Sequence, residues 1–232
     1  MDKVEMLPPA QDLLVSDWAE KPAGLEGPLR LAFVGGHFFR KGGLELLRVV
    51  RQLLAEGADV TLELVSSLAM TTQTGDTEEE WEEARQLMEE GPEITWHGAL
   101  PNREVLEVFK GSHIGLLPSY IETYGYTVLE AQACGCATIT TDIRAFPDTN
   151  PDEVGWRVEI DGDDFDFRTR NGRALISERI ERGLYCTLKT ILEDPMVVRE
   201  KGEAALNRIA EEHAPARHGE RLREIYREAL SN

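Results

Sequence analysis

The chain has 232 residues, 41 % of them hydrophobic, which suits one large domain, or one ordinary domain with extensions, built around a sizeable core. Its formal net charge of −18 argues against nucleic acid as a partner, because polyphosphate backbones demand dense lysine and arginine. Simple solubility or a high-salt cytoplasm would each account for so acidic a surface. No segment approaches the roughly 18 consecutive apolar residues of a membrane span, and Met1 to Glu20 does not read as a signal peptide. Three cysteines, Cys134, Cys136 and Cys186, are too few for a disulfide framework. A reduced, cytoplasmic location is therefore expected, with Cys134 and Cys136 filling core rather than binding metal.

Met1 to Pro28 carries Pro8, Pro9, Pro22 and Pro28 and little periodicity, so residues 1–28 read as a linker or surface strap. From Leu29 the pattern changes. Leu31 to Val34 is a short apolar run ending at Gly35 and Gly36, followed by a helical segment from Gly43 to Glu56. Further strands are expected at Val60 to Val65, Glu93 to His97, Ile114 to Leu117, Ala137 to Thr141 and Val154 to Val158. Helices are expected at Glu78 to Glu90, from Asn102, and at Tyr126 to Cys134; the acidic run Glu78 to Glu83 reads as a solvated helix face. Short apolar strands alternating with helices predict a doubly wound, Rossmann-like parallel sheet covered on both faces. After residue 172 the chain reads as a helical tail, with Ile176, Ile180, Leu184, Leu188 and Ile191 at three- or four-residue spacing. Pro195 and Pro215 mark two later helix starts, and Leu222, Ile225, Tyr226 and Leu230 form an apolar stripe on the last.

Ligands of such sheets bind beyond the C-terminal ends of the strands, so the loops there deserve the closest reading. Gly35 to Gly43 combines glycines, which allow close backbone approach, with Arg40 and Lys41, which supply charge for phosphate oxygens. It matches neither the P-loop nor the dinucleotide spacing, and an ordinary strand-to-helix turn would look similar. A second loop, Tyr120 to Thr127, leads into a helix at which Gly125, Tyr126 and Thr127 would offer N–H groups to a phosphate. It is flanked by Glu122 and Glu130, with seven residues between them. Taken alone, such acids are readily explained as surface carboxylates favoured at a helix start. His37 faces the first loop, while His97 reads as a packing or capping residue and His113 as structural. Trp18, Trp81, Trp96 and Trp156 read as packing residues.

Taken together these motifs resemble the donor-binding, C-terminal half of the retaining glycosyltransferases of family 4, the group 1 glycosyltransferases of GT-B fold. The family pattern E-x7-E, usually seen as E-G-F-G-x-x-x-x-E-A-M-A-C-G, stands here as Glu122-Thr-Tyr-Gly-Tyr-Thr-Val-Leu-Glu-Ala-Gln-Ala-Cys-Gly135. Phe33 to Gly43 looks like the family's first-strand loop, and Thr95-Trp-His-Gly98 like its base-side strand end. The resemblance runs from about Leu29 to Asp148, with a weaker echo in the final helices.

The resemblance implies a nucleotide diphosphate sugar as donor substrate. Lys41 would bind the diphosphate, helped by Arg40 and the glycines Gly35 and Gly36. Gly125, Tyr126 and Thr127, with Tyr124 alongside, would hold phosphate through backbone and hydroxyl, Glu130 the ribose and Glu122 the sugar. Gly98, Ala99 and Leu100 would lie beside the nucleobase. No metal and no cofactor is implied. Two departures stand out: Gly36 replaces a frequent arginine, which Arg40 would partly replace, and Thr123 replaces a glycine, which would narrow the sugar pocket. The implied organisation is a strap at 1–28, the donor domain at 29–212, and a helix at 213–232 that would pack toward an N-terminal acceptor-binding half. That half would carry any acceptor at a membrane surface, and the face it leaves open would favour self-association. This chain alone would be inactive. Two alternatives stay open on the same fold: a non-catalytic interaction module and a phosphorylase-like binder of sugar phosphates.

Overall fold

A computed structural model describes residues 7–21, 24–68, 70, 76–160 and 166–230. Among them six strands form one sheet: β1 (Leu29–Val34), β2 (Val60–Val65), β3 (Ile94–Gly98), β4 (Ile114–Leu117), β5 (Ala137–Thr141) and β6 (Gly155–Val158). Every neighbouring pair is parallel, in the order β3-β2-β1-β4-β5-β6. Eight helices accompany them among the described residues: α1 (Gly43–Ala55), α2 (Glu78–Glu89), α3 (Asn102–Gly111), α4 (Tyr126–Ala133), α5 (Phe146–Thr149), α6 (Arg170–Glu193), α7 (Met196–Glu212) and α8 (Pro215–Leu230). This is the Rossmann-like doubly wound sheet with a helical C-terminal tail that the alternation of elements predicts.

Successive strand residues face opposite sides of the sheet, and the core divides accordingly. Leu31, Phe33, Leu62 and Leu64 join Leu46, Leu47, Val50 and Leu53 of α1 and Ile176, Ile180, Leu184 and Leu188 of α6 in one cluster. Ala32 and Val65, pointing the other way, pack with Val105 and Phe109 of α3 and Ala131 of α4. The central strands β4 and β5 are buried throughout, whereas the edge strand β3 leaves Thr95, Trp96 and His97 exposed. Trp96 is thus a correction to the expected packing role. It lies at the sheet margin, 46 % exposed, and its indole N–H donates to the Ser66 carbonyl at 2.8 Å.

The acidic start of α2 is explained by a capping box, in which Thr77 Oγ1 accepts from Glu80 N–H and Glu80 returns a bond to Thr77 N–H. It is not wholly solvated, because Glu83 takes a bidentate bond from Arg48 of α1, which also reaches Glu181 of α6. The first strand starts earlier than hydrophobicity suggests, whereas β3 and β6 each start one residue later than expected. Leu29 already pairs with Val60, extending β1 by two residues beyond Leu31. In α8 no residue is buried, and Leu222, Tyr226 and Leu230 lie exposed along its apolar stripe.

The strap at 1–28 is seated more deeply than its composition suggests; its first six residues and residues 22–23 lie outside the described residues. Val15, Trp18 and Lys21 are buried, and Trp18 stands against Gly202 of α7, where an added Cβ would come within 2.5 Å of the indole nitrogen. The Lys21 ammonium donates to the Phe109 carbonyl at 3.2 Å and the Cys134 carbonyl at 2.7 Å. A cation thus sits at the C-terminal ends of α3 and α4, where helix carbonyls lack intrahelical donors. Further back, His213 and His218 donate ring N–H groups to the Pro9 and Pro8 carbonyls, tying the strap to the junction of α7 and α8.

Replacing Lys21 by methionine preserves its apolar stem but removes the ammonium from both carbonyls, leaving Phe109 with the Ser112 N–H and Cys134 without its charged donor. Lys21→Met should therefore lower unfolding free energy by about 2–3 kcal/mol. Urea denaturation monitored by circular dichroism measures this, and an unchanged midpoint would mean the strap is not an anchor.

Candidate functional site at the sheet switch point

The chain winds from β1 outward to β2 and β3, then crosses back to place β4 on the other side of β1. The loops after β1 and β4 therefore diverge and open a crevice at the C-terminal edge of the sheet. What brings them together again is a glycine. Gly42, at φ 75° in the left-handed region, packs so tightly on the second loop that an added Cβ would lie 2.2 Å from the Pro118 carbonyl oxygen. A backbone bond from Tyr120 N–H to the Arg40 carbonyl, 3.0 Å, fastens the same two loops. Phe38 and Phe39, buried and edge to face at 5.0 Å, root the first loop in the core.

This clamp sets the Lys41 ammonium on Glu122 Oε2 as an ion pair whose side chains are only 12 % and 13 % exposed. The other carboxylate oxygen accepts from the Thr123 N–H at 2.9 Å. Burial pushes the Glu122 carboxyl upward, but the hydrogen bonds from Lys41 and Thr123 and the Lys41 charge outweigh it, holding the group below the usual carboxylate range. Gly35 gives the Lys41 stem its path, since a Cβ there would come within 3.1 Å of Lys41 Cγ. Gly36 is exposed with open space about it. The imidazole of His37 is held below its ordinary value by burial, by Arg40 and by Lys41, with Asp76 opposing. The first loop is therefore a local positive field on an acidic protein.

Gly125 is the residue that permits α4 to begin where it does. Its φ is 87°, and an added Cβ would lie 2.6 Å from Phe146 Cε1. Past it, among the described residues, the Tyr126 and Thr127 N–H groups make no protein hydrogen bond, the condition expected of a helix N-terminus. The next N–H, of Val128, turns back to the Gly125 carbonyl at 2.9 Å. Tyr126 is 63 % exposed and lies beside Tyr124, ring centroids 5.3 Å apart. One turn on, Glu130 accepts from Asn102 Nδ2 at 3.1 Å. Burial raises its carboxyl, and the Asn102 bond only partly offsets this. Because Asn102 opens α3, that contact draws the turn of Gly98, Ala99 and Leu100 toward α4. Gly98 is left-handed at φ 65°, and Leu100 is partly buried against the α3 face.

The structure thus gathers the sequence-selected residues into three linked loops and joins Lys41 to Glu122 directly. His97 is turned instead to Glu63, 2.5 Å away, and His113 is buried, accepting from Arg30 N–H at 3.1 Å and stacked near Trp18. Four participants escaped the sequence reading: Asn102, Tyr120, Glu45 and Ser177. The Tyr120 hydroxyl donates to Glu45 Oε1 at 2.6 Å, and Ser177 Oγ donates to the same oxygen at 2.8 Å. Glu45 is buried, its second oxygen has no partner, and burial raises its carboxyl more than the two hydroxyls lower it. Glu45 stands in an apolar helical run as a lone acid, the one signal that pointed to it.

Among the described residues no three metal-binding side chains cluster, and no helix is long and apolar enough to cross a membrane. A separate cavity of about 370 Å³ lies at the opposite edge of the sheet, lined in part by Leu29, Asp59, His113 and Leu192. Its lining also includes the glycines Gly27 and Gly57 and the Lys189–Glu56 ion pair, but none of the residues gathered at the switch point.

The family model for glycosyl transferases group 1 matches residues 16–166, and the chain belongs to that family. Alpha-maltose-1-phosphate synthase of Mycolicibacterium smegmatis is 28 % identical over 211 residues, covering 90 % of this chain and 50 % of that protein. Among solved structures, sucrose-phosphate synthase from Thermosynechococcus elongatus superposes at a TM-score of 0.69 with 20 % identity, over 98 % of this chain and 53 % of that one. The pneumococcal O-GlcNAc transferase, solved with UDP and GlcNAc, gives 0.66 at 16 % identity, over 99 % and 40 %. The fold is one Rossmann-like half of a GT-B glycosyltransferase. The chain spans about half the length of the relatives it matches.

The raised Glu45 carboxyl yields a pH-dependent prediction. Below the ordinary carboxylate range, near 4.5, the group is neutral in folded and unfolded chains alike. As pH rises, the unfolded chain releases the proton while the folded chain must keep it or bury a charge, so stability drains away. Glu45→Gln should match wild type near pH 4 and become progressively more stable than it toward pH 8. Chemical denaturation across that range reads the difference; a variant less stable at pH 8 would show that the charged form is the one the fold prefers.

Proposed function

We propose that this chain is the donor-binding half of a retaining hexosyltransferase of family 4, and that it binds a nucleotide diphosphate sugar at the switch point. The observation that carries the reading is the convergence of Lys41, Glu122 and Glu130 around the open N-terminus of α4. A bare helix start favours any anion. Two carboxylates beside it make electrostatic sense when the ligand also brings hydroxyl donors, and a sugar nucleotide carries hydroxyls on both its ribose and its sugar.

In this reading Lys41 and the Tyr126 and Thr127 N–H groups hold the diphosphate, with Arg40 adding to the field. Their charge is already in place before transfer, so they stabilise the departing diphosphate with little reorganisation. Glu130 takes the ribose hydroxyls, and its raised carboxyl marks a half-buried acid with too few donors. Glu122 takes the sugar, and Gly98 to Leu100 flank the base. The UDP and GlcNAc held by the pneumococcal neighbour support a donor of this class. Retention at the anomeric carbon rests on the resemblance to family 4. The acceptor half lies outside this chain, and the exposed stripe of α8 is suited to pack toward it. The isolated chain should bind donor and transfer nothing, and the enzyme needs no metal.

Titration calorimetry with UDP, GDP and ADP, each free and as its glucose conjugate, tests the reading. One nucleotide series should bind, and Lys41→Ala should weaken it by about ten-fold, as expected for loss of a charge-assisted phosphate contact. Failure of every nucleotide at millimolar concentration, or affinity indifferent to Lys41, would contradict it.

A further inference from the structure

We propose that the Lys41–Glu122 ion pair makes this site select an intact sugar nucleotide over the free nucleoside diphosphate that remains after transfer. The inference rests on the donor reading above and adds a discrimination to it. Its starting point is that both oxygens of Glu122 are already occupied. Oε2 faces the Lys41 ammonium, and Oε1 accepts the Thr123 N–H at 2.9 Å with the Thr123 hydroxyl at 3.4 Å. Lys41 in turn has Glu122 as its ion-pair partner among the described residues. The pair is largely shielded from water, so solvent and salt screen it weakly.

A diphosphate arriving alone must draw Lys41 away from Glu122. That leaves a partly buried carboxylate without its cation, next to phosphate oxygens of the same sign, an arrangement that opposes binding. A sugar nucleotide supplies the missing compensation, because its sugar hydroxyls donate to the oxygen that Lys41 vacates. Once the sugar has moved to the acceptor, those donors depart with it. Glu122 then recovers Lys41, and the diphosphate loses its cation. Competition for one ammonium thereby favours substrate entry and product release at the same site. Thr123 contributes by holding the second carboxylate oxygen, so that the exchange is confined to Oε2. A glycine there would retain the N–H bond and lose the hydroxyl.

Calorimetry on the 232-residue chain with UDP and UDP-glucose, or the guanosine or adenosine pair if that series is the one bound, provides the test. Glu122→Gln keeps the shape and removes the charge. It should bind the free diphosphate roughly five-fold more tightly, the scale of a shielded ion pair, while the advantage of the sugar conjugate shrinks. Glu122→Ala should show the same gain for the diphosphate and serves if the glutamine variant does not fold. In a Lys41→Ala background the gain should vanish, since no ammonium is left to compete for. A gain that persists there would show plain repulsion between Glu122 and phosphate and overturn the proposal. So would unchanged diphosphate affinity in both Glu122 variants. If wild type binds no nucleotide at all, the donor reading fails and this inference falls with it. Wild-type binding without the gain sinks the inference alone.

Discussion

The site depends on one steric constraint, the contact of Gly42 with the Pro118 carbonyl. Loops leaving β1 and β4 head apart by topology, and a side chain at position 42 would keep them apart. With hydrogen in its place, the backbones touch, Tyr120 N–H reaches the Arg40 carbonyl, and Lys41 lands on Glu122. The left-handed φ of Gly42 serves a second purpose, since the same residue is the N-cap from which α1 starts. Charge placement in this chain is therefore set by backbone approach, with the ion pair as its consequence rather than its cause.

Behind the clamp lies a support built from polar groups that are costly to bury. Glu45 anchors Tyr120 from below and receives Ser177 from α6, so the second loop, α1 and α6 meet on one oxygen. Hydroxyls converging on this buried acid favour its charged form, but burial favours the neutral form more strongly and decides the balance. At the other end of α4, the Lys21 ammonium meets the helix carbonyls. The short helix that presents its N-terminus to the site is thus buried over most of its residues from Val128 to Ala133 and held by a cation at its C-terminus. Little of it is free to move when an anion binds, which favours preorganisation over induced fit.

Much of this was legible beforehand. Strand and helix periodicities gave the element order, and β2, β4 and β5 match their expected bounds, because each is a short apolar run bounded by turn residues. The residues of the two loops could be chosen because glycines, cations and acids cluster there in a recognisable order. Contacts between distant positions were not legible. Nothing in local pattern tells that Gly42 rather than Gly43 meets Pro118, that Asn102 reaches Glu130 across 28 residues, or that Lys21 enters the core. Trp96 misled because a tryptophan ordinarily packs, and only strand order reveals that β3 is an edge. Thr123 was visible as a departure from the family pattern, but its bond to the Glu122 carboxylate needed coordinates.

The most direct examination of the central claim is an amide NMR titration of the chain with a sugar nucleotide that it binds. Shifts concentrated at Gly35 to Lys41, Gly98 to Leu100 and Glu122 to Thr127, with the Tyr126 and Thr127 amides moving furthest, are what a donor site at the switch point requires. Shifts centred on Leu29, Asp59 and His113, at the opposite edge of the sheet, would contradict it.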